Sequence, residues 1–381
     1  MVHGSQLVFF LPLRILPFKW SSRLYNEGIC YTKGAFGCLL ILMCQWFSPT
    51  KLSITFETEG KGRFSPEDIE RLVVRNQAGD VVSLNLPTKF VLISNHQIYA
   101  DWWYAWCLTY FIGPRGVHRY VYITLKKSLK WIPIVGWGMQ LYNFIFLARS
   151  WASDRVQLAS HLSALGKRAE EEDNPLCFML YPEGTLVSQN TRPISKKFAD
   201  KIGISDLRNV LLPRSTGLHY SLRSLAPRIP DLKLIDLTVI YPGVPPMGYG
   251  QDYYTLRSIF MSGVAPPAIH IYLKMFDVAA DIPIGDMSGK PTLVSGAPSE
   301  HTAEVDIPQH EKEAFDTWMR ELWQEKDERM TRFFDTTSYG SRTAQGPVEI
   351  PLRLRRKREF FDAFCFFLPA CAGYLSGKIR R

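Results

Sequence analysis

One imidazole and two carboxylates stand where apolar runs end. His96 and Asp101 lie in Asn95-His96-Gln97-Ile98-Tyr99-Ala100-Asp101, directly after the run Lys89–Ser94 (KFVLIS). A carboxylate that accepts the imidazole Nδ1–H fixes the tautomer and leaves Nε2 as a base. If the connecting turn folds back, the pair suits removal of a proton from a hydroxyl. The bland alternative is a satisfied histidine beside an acid at a helix start. Glu183 sits in Tyr181-Pro182-Glu183-Gly184-Thr185, directly after the run Leu176–Leu180 (LCFML). There Gly184 lets a backbone approach a ligand closely, and Thr185 offers a hydroxyl and an amide. Two arginines end further apolar runs: Arg149 after Phe144-Ile145-Phe146-Leu147-Ala148, and Arg214 after Leu212-Pro213. A base, an acid and two guanidiniums suit an anionic substrate that bears a hydroxyl, because the guanidinium fork binds phosphate bidentately. Taken singly, each arginine reads as a surface ion pair, and Arg149 is the better candidate of the two.

Other chemistries find less support. No GxSxG nucleophile elbow occurs, which counts against a serine hydrolase. His96, Asp101 and Glu183 could ligate a metal, but no HExxH and no second histidine clusters with them. The seven cysteines form no CxxC pair, and several sit inside apolar runs, as small buried hydrophobes in a reducing compartment do.

The elements that must position these groups alternate between short apolar runs and amphipathic stretches. Strands are expected at Lys89–Ser94, Tyr120–Thr124, Phe144–Leu147, Leu176–Leu180, Val210–Leu212, Leu234–Ile240 and Ile269–Leu273. Several are apolar on both faces, as strands covered by helices on both sides require. Helices are expected at Asp101–Phe111, which is aromatic almost all round, at Ser153–Glu172 and at Gln309–Phe334. The second places Leu158, Leu162, Leu165 and Ala169 on one stripe with Ser153 as N-cap. The third carries Phe315, Trp318, Met319 and Leu322 on one face and many charges opposite. The pattern is α/β: a central, mostly parallel sheet covered by helices. Open α/β sheets bind ligands outside the carboxyl ends of their strands, where His96 and Glu183 fall. Tyr241–Pro267 reads as a long excursion. Arg192, Lys196, Lys197 and Lys201 read as a solvated loop, the other reading being a contact with the phosphates of an anionic co-substrate or with lipid head groups.

The chain has 381 residues, a net charge of +9 and 46% hydrophobic residues, which excludes a disordered chain and a polytopic membrane protein. The positive charge suits anionic lipid or an anionic co-substrate, and no motif for nucleic acid accompanies it. Near the N-terminus, Leu7–Phe18 is broken by Pro12, Arg14 and Pro17, and Gly34–Phe47 (GAFGCLLILMCQWF) is only about fourteen residues, short of a span. The pair reads as a membrane-embedded hairpin or interfacial anchor, with a buried core helix and a single tilted span as the other readings. The division is then an anchor over 1–51, an α/β domain over 52–300, a C-terminal helix over 301–336, and a tail over 337–381. That tail holds a linker over 337–352, the basic run Arg353, Arg355, Arg356, Lys357 and Arg358, and an apolar end, suited to an anionic membrane surface or, equally, to a frayed and solvated terminus.

These blocks resemble the glycerolipid acyltransferase family, best known for the 1-acylglycerol-3-phosphate acyltransferases. Its NHxxxxD block is matched by Asn95, His96 and Asp101, and its EGT block by Pro182, Glu183, Gly184 and Thr185. Pro133, Gly136 and Arg149, with Lys126 upstream, match the second block, and Leu212 and Pro213 the fourth. The blocks stand in order over residues 95–217, roughly a third of the chain. Two departures stand out. Ile98 occupies a position where many members have Ser, and the run before Arg149 differs from the family's Gly-Phe-Ile type. The NHQ…DWW opening and the Pro-Arg-Ser-Thr-Gly block look most like the lysocardiolipin and lysophosphatidylinositol branch.

The resemblance implies an acyl-CoA-dependent acyltransferase acting on a lysophospholipid. His96 and Asp101 are then catalytic, and Asn95, Arg149, Glu183, Gly184, Thr185, Pro213 and Arg214 bind substrate. Acyl-CoA is a co-substrate; no other cofactor, no metal and no nucleic acid is expected. The partners are acyl-CoA, lysophospholipid and a membrane surface, at the endoplasmic reticulum or another endomembrane, with the site facing the cytosol. A membrane-tethered lipid-binding protein and an acyl-CoA thioesterase are the alternatives.

Overall fold

Alternate residues of Lys89–Ser94 enter two different cores. Phe90 and Leu92 pack into one and Val91 and Ile93 into the other, all fully buried. A run apolar on both faces is thus the centre strand of a covered sheet. The computed structural model describes residues 6–114, 116–148, 150–287, 292–293, 303–304, 307–336 and 346–367. Its first half contains helix α1 (Lys19–Phe47), strands β1 (Lys51–Phe56), β2 (Val73–Arg75), β3 (Val81–Leu84) and β4 (Lys89–Ser94), and helix α2 (Asp101–Tyr110). Then follow β5 (Val121–Lys126), β6 (Ile145–Leu147), α3 (Trp151–Glu171), β7 (Leu176–Leu180), α4 (Arg192–Ile202), α5 (Ser215–Leu225), β8 (Lys233–Ile240) and β9 (Ile269–Asp277). The ribbon β10 (Thr292–Leu293) and β11 (Ala303–Glu304), helix α6 (Gln309–Thr336), β12 (Val348–Pro351) and α7 (Arg358–Phe364) come last, and short helices such as Pro66–Leu72 and Val135–Leu141 lie between these elements.

Eight strands form the main sheet in the order β12-β1-β9-β8-β4-β7-β5-β6. Strand β4 is parallel to both neighbours, β7 and β8, while β8–β9 and β1–β12 are antiparallel. The chain leaves β4 for β5 and β6 on one side, returns to β7, then crosses to β8 on the other side. That reversal beside β4 is the topological switch point, where α/β sheets open a crevice. One face of the sheet is covered by α1 and α2, the other by α3, α5 and α6. Phe315, Trp318, Met319 and Leu322 of α6 are buried there as their spacing requires.

Several expectations are corrected. Val210–Leu212 is not a strand. Its Leu211 and Leu212 amides donate to the side chains of Glu183 and Ser195, at 3.1 and 3.2 Å, rather than to a ladder. Residues 192–202 are a helix, not a loop, ended by Gly203 at φ 70°. The excursion 241–267 holds two short helices, Gly250–Tyr253 and Leu256–Met261. Within the expected linker, Val348–Pro351 pairs antiparallel with β1 and buries Ile350 and Leu352, so the sheet claims it. In the basic run, the Arg355 guanidinium lies 4.4 Å over the Tyr110 ring. Helix α7 packs on α1, with Phe360 5.7 Å from the Trp46 ring. The tail beyond residue 367 lies outside the described residues.

Gly34–Phe47 is not a separate short run. It is the second half of one 29-residue helix, α1. By length and composition α1 could cross a membrane, yet 61% of its most apolar window is buried inside the molecule. Lys33, in its middle, is buried and donates to Val121 O at 3.0 Å, with Nζ 3.9 Å from the Tyr122 ring. A second close contact comes at Gly37, where an added Cβ would stand 2.8 Å from the His118 ring.

Candidate active site

The carboxyl ends of β4, β7 and β8 meet at one edge of the sheet and deliver His96, Glu183 and Tyr241 in turn. His96 Nδ1 lies 2.8 Å from Asp101 Oδ2. The turn folds back because that same oxygen accepts the Gln97 and Ile98 amides at 2.6 and 2.9 Å, at the first residue of α2. A negative side chain at a helix N-terminus is favoured by the dipole. The second Asp101 oxygen accepts from the Tyr241 hydroxyl at 2.6 Å. Asp101 is therefore buried with both oxygens used, and it holds His96 from below. A carboxylate only accepts, so the imidazole proton sits on Nδ1 and Nε2 keeps its lone pair. The His96 side chain is 20% exposed, enough to meet a substrate. Its ring stacks on Tyr181, centroids 4.4 Å apart at 27°. Burial raises the phenols of Tyr181 and Tyr241, so both remain protonated and Tyr241 remains a donor.

The sequence reading places Asn95 and Glu183 against the substrate, and the structure turns both inward. Asn95 is fully buried; its Nδ2 donates to Val239 O at 2.9 Å and its Oδ1 accepts Val239 N at 2.7 Å. Glu183 is 3% exposed, with Oε1 accepting the His96 amide and Oε2 the Leu211 amide, both at 3.1 Å. Two loops are thereby tied to one carboxyl, and no oxygen is left facing a ligand. Burial pushes that carboxyl up to about 8, against the pull of the two amides.

Gly184, at φ 69°, and Thr185 lie at the partly exposed top of this turn. The left-handed backbone at Gly184 is strained for any residue with a Cβ. Arg214 comes beside it: its amide donates to Pro182 O at 2.8 Å, and its side chain would lie 3.8 Å from a Cβ at Gly184. Arg214 is exposed and carries no ion pair among the described residues; Pro213 before it is half-buried. Arg149 lies outside the described residues, as does the side chain of Ser153. The amides on either side of position 149, of Ala148 and Ser150, donate to Asp154 at 2.7 and 3.0 Å. Helix α3 so ties those two amides through its own first-turn acid. Of the second block, Pro133 is exposed and Gly136 is buried.

Sequence reasoning missed Tyr241, although it ends the run LIDLTVI just as His96 follows KFVLIS. It also missed the stacking partner Tyr181, which directly precedes the Pro-Glu-Gly turn.

The assembled site can take a proton at Nε2, return it, and offer cationic binding from Arg214 nearby. Comparison with known proteins gives the following. The family model described as Acyltransferase matches residues 81–241. The 2-acyl-1-lysophosphatidylinositol acyltransferase of Saccharomyces cerevisiae is 34% identical over 370 residues, spanning 89% of this chain and 83% of that protein. Lysocardiolipin acyltransferase 1 of Danio rerio is 31% identical over 251 residues, spanning 65% of this chain and 53% of that protein. A distant likeness links the chain to the crystal structure of the 1-acyl-sn-glycerophosphate acyltransferase of Thermotoga maritima. The TM-score is 0.37 at 14% identity, over 87% of this chain and 93% of that one.

Proposed function

Because this chain belongs to the acyltransferase family, we propose that it moves a fatty acyl group from coenzyme A to a free glycerol hydroxyl of a lysophospholipid. The carrying observation is the His96–Asp101 contact of 2.8 Å at the carboxyl edge of the sheet, with the imidazole partly open to solvent. His96 Nε2 takes the hydroxyl proton as the oxygen attacks the thioester carbonyl. The tetrahedral centre collapses, the carbon–sulfur bond breaks, and the imidazolium returns its proton to the departing coenzyme A sulfur. Asp101 stabilises the imidazolium between these two transfers. No acyl-enzyme forms, since the acceptor hydroxyl occupies the role a nucleophilic serine has elsewhere.

Arg214, beside Gly184, and Arg149 hold the acceptor phosphate as bidentate donors. Glu183 acts through the backbone by fixing the His96 and Leu211 amides. The acceptor class is lysophosphatidylinositol, lysocardiolipin or lysophosphatidic acid, in phospholipid synthesis or remodelling; the named relatives favour the first two. Such acceptors reside in membranes, so the enzyme works at an endomembrane surface, the endoplasmic reticulum being the natural one, with its site towards cytosolic acyl-CoA.

The test is thiol release from oleoyl-CoA by the purified chain with a panel of lysophospholipids. Release that requires the lysolipid, with the diacyl product detected, is the expected result. Release without acceptor makes it a thioesterase, and no release with any acceptor sinks the proposal.

A further inference from the structure

Helix α4 turns its large apolar residues outward. Ile194, Phe198 and Ile202 are 63%, 49% and 38% exposed. They stand four residues apart, so they form one continuous stripe about 12 Å long. The face that meets the protein is small and polar instead. Ser195 and Ala199 are buried, and Ser195 Oγ donates to Asp206 at 2.7 Å while accepting Leu212 N at 3.2 Å. Arg192 donates to Leu207 O and Val210 O at 2.7 and 2.8 Å. Polar bonds and the small Ala199 hold the helix down, while its large apolar residues stay largely outside that contact. A contiguous exposed apolar patch of this kind marks a contact surface.

The charges beside the stripe identify the occupant. At 100° per residue, Lys197 and Lys201 border it on the side away from the protein. Neither has an acidic partner among the described residues, whereas Lys196 is paired with Asp200 at 3.1 Å. An apolar stripe edged by free lysines is the pattern of a helix lying in the interface of an anionic bilayer. The same sheet edge carries a second element of this type. Trp131 and Trp137, 71% and 50% exposed, follow the carboxyl end of β5 close behind the exposed Lys126 and Lys127.

We infer that α4 docks flat on an anionic lipid surface, with Ile194, Phe198 and Ile202 in the acyl–headgroup boundary and Lys197 and Lys201 on lipid phosphates. The helix is tied by bonds to the catalytic turn: Ser195 holds the Leu212 amide, and Glu183 holds the neighbouring Leu211 amide together with that of His96. Docking α4 therefore sets the height of His96 above the lipid. The inference goes beyond the proposed transfer reaction, and its test requires no turnover.

The test places a nitroxide on Phe198→Cys in the full chain, reconstituted in phosphatidylcholine vesicles with phosphatidylserine; the signal of the labelled parent is subtracted. A label at Asp200→Cys is the control, and Ile202→Cys gives a second stripe position should the first variant not fold. The expected result is that oxygen relaxes the stripe label several-fold more effectively than a water-soluble nickel chelate does, with the order reversed at position 200. A stripe label that responds mainly to the nickel chelate overturns the inference. So does dipolar coupling between labels on two chains, which puts a second copy over the stripe.

Discussion

His96 and Asp101 stand five residues apart in sequence and 2.8 Å apart in space, with the turn between them closed onto the same carboxyl oxygen. That oxygen therefore shapes the turn and orients the base at once. His96→Ala is expected to lower kcat by about 10²–10⁴-fold while leaving the melting curve in place. Asp101→Asn should lower both kcat and stability, because it disturbs a buried acceptor of three N–H groups. Steady-state rates alongside calorimetry check both. A His96→Ala chain with wild-type rates removes the mechanism.

Tyr241→Phe deletes only the hydroxyl that steadies Asp101 from behind. It is expected to lower kcat by about ten-fold with KM for both substrates nearly unchanged, since the buried hydroxyl acts on the base only through Asp101. An effect confined to KM would move Tyr241 into the binding site instead.

Glu183 makes stability depend on pH. Burial pushes its folded carboxyl up to about 8, against an ordinary value of 4.5. Between those values the folded chain keeps a proton that the unfolded chain has released. The contribution is thus complete below pH 4.5 and is lost as pH rises through 8. Glu183→Gln cannot titrate. Between pH 5 and 8 the wild type should lose several degrees of Tm, by about 1 kcal/mol or more of linkage, that the variant keeps. Identical pH profiles contradict the assignment.

Arg214→Ala is expected to raise KM for a phosphate-bearing acceptor by about ten-fold, through the loss of a charge-assisted contact. Its Tm should not move, because the exposed side chain carries no ion pair among the described residues. Arg149→Ala should raise the same KM. A panel in which neither variant changes KM places the phosphate elsewhere.

Lys326 carries a structural prediction. Its ammonium donates to Asp236 and to Leu237 O, both at 2.7 Å, and pins α6 onto β8. Both side chains are almost wholly buried. Lys326→Met leaves the buried Asp236 carboxyl without the ammonium and should cost about 3–5 kcal/mol, read from denaturant midpoints. The double variant Lys326→Met/Asp236→Leu should recover much of that loss.

The sheet was legible because its central strands are apolar on both faces: β4, β7 and β8 fall within a residue of the runs that mark them. The strands at one side of the sheet were harder. Val348–Pro351 is a four-residue edge strand and Lys51–Phe56 lies beside it, and pairing across most of the chain's length, not local pattern, makes them strands. Lys326 was hidden among the charges of a helix face, since only its partner Asp236 makes burial tolerable. The pair His96–Asp101 could be read from spacing because one short turn joins them. The inward orientation of Glu183 could not, because it is set by Leu211, which belongs to another loop. Helix α4 was obscured by its lysines and by an apolar stripe facing away from the core.

Asn95 extends the ladder between β4 and β8 by one more rung, built from a side chain that copies a strand's donor and acceptor. The histidine-bearing turn is consequently not free to breathe on its own; its amides should exchange with deuterium as slowly as those of the central sheet. Any adjustment that admits a bulky acceptor must then happen in neighbouring loops, around a base that stays still.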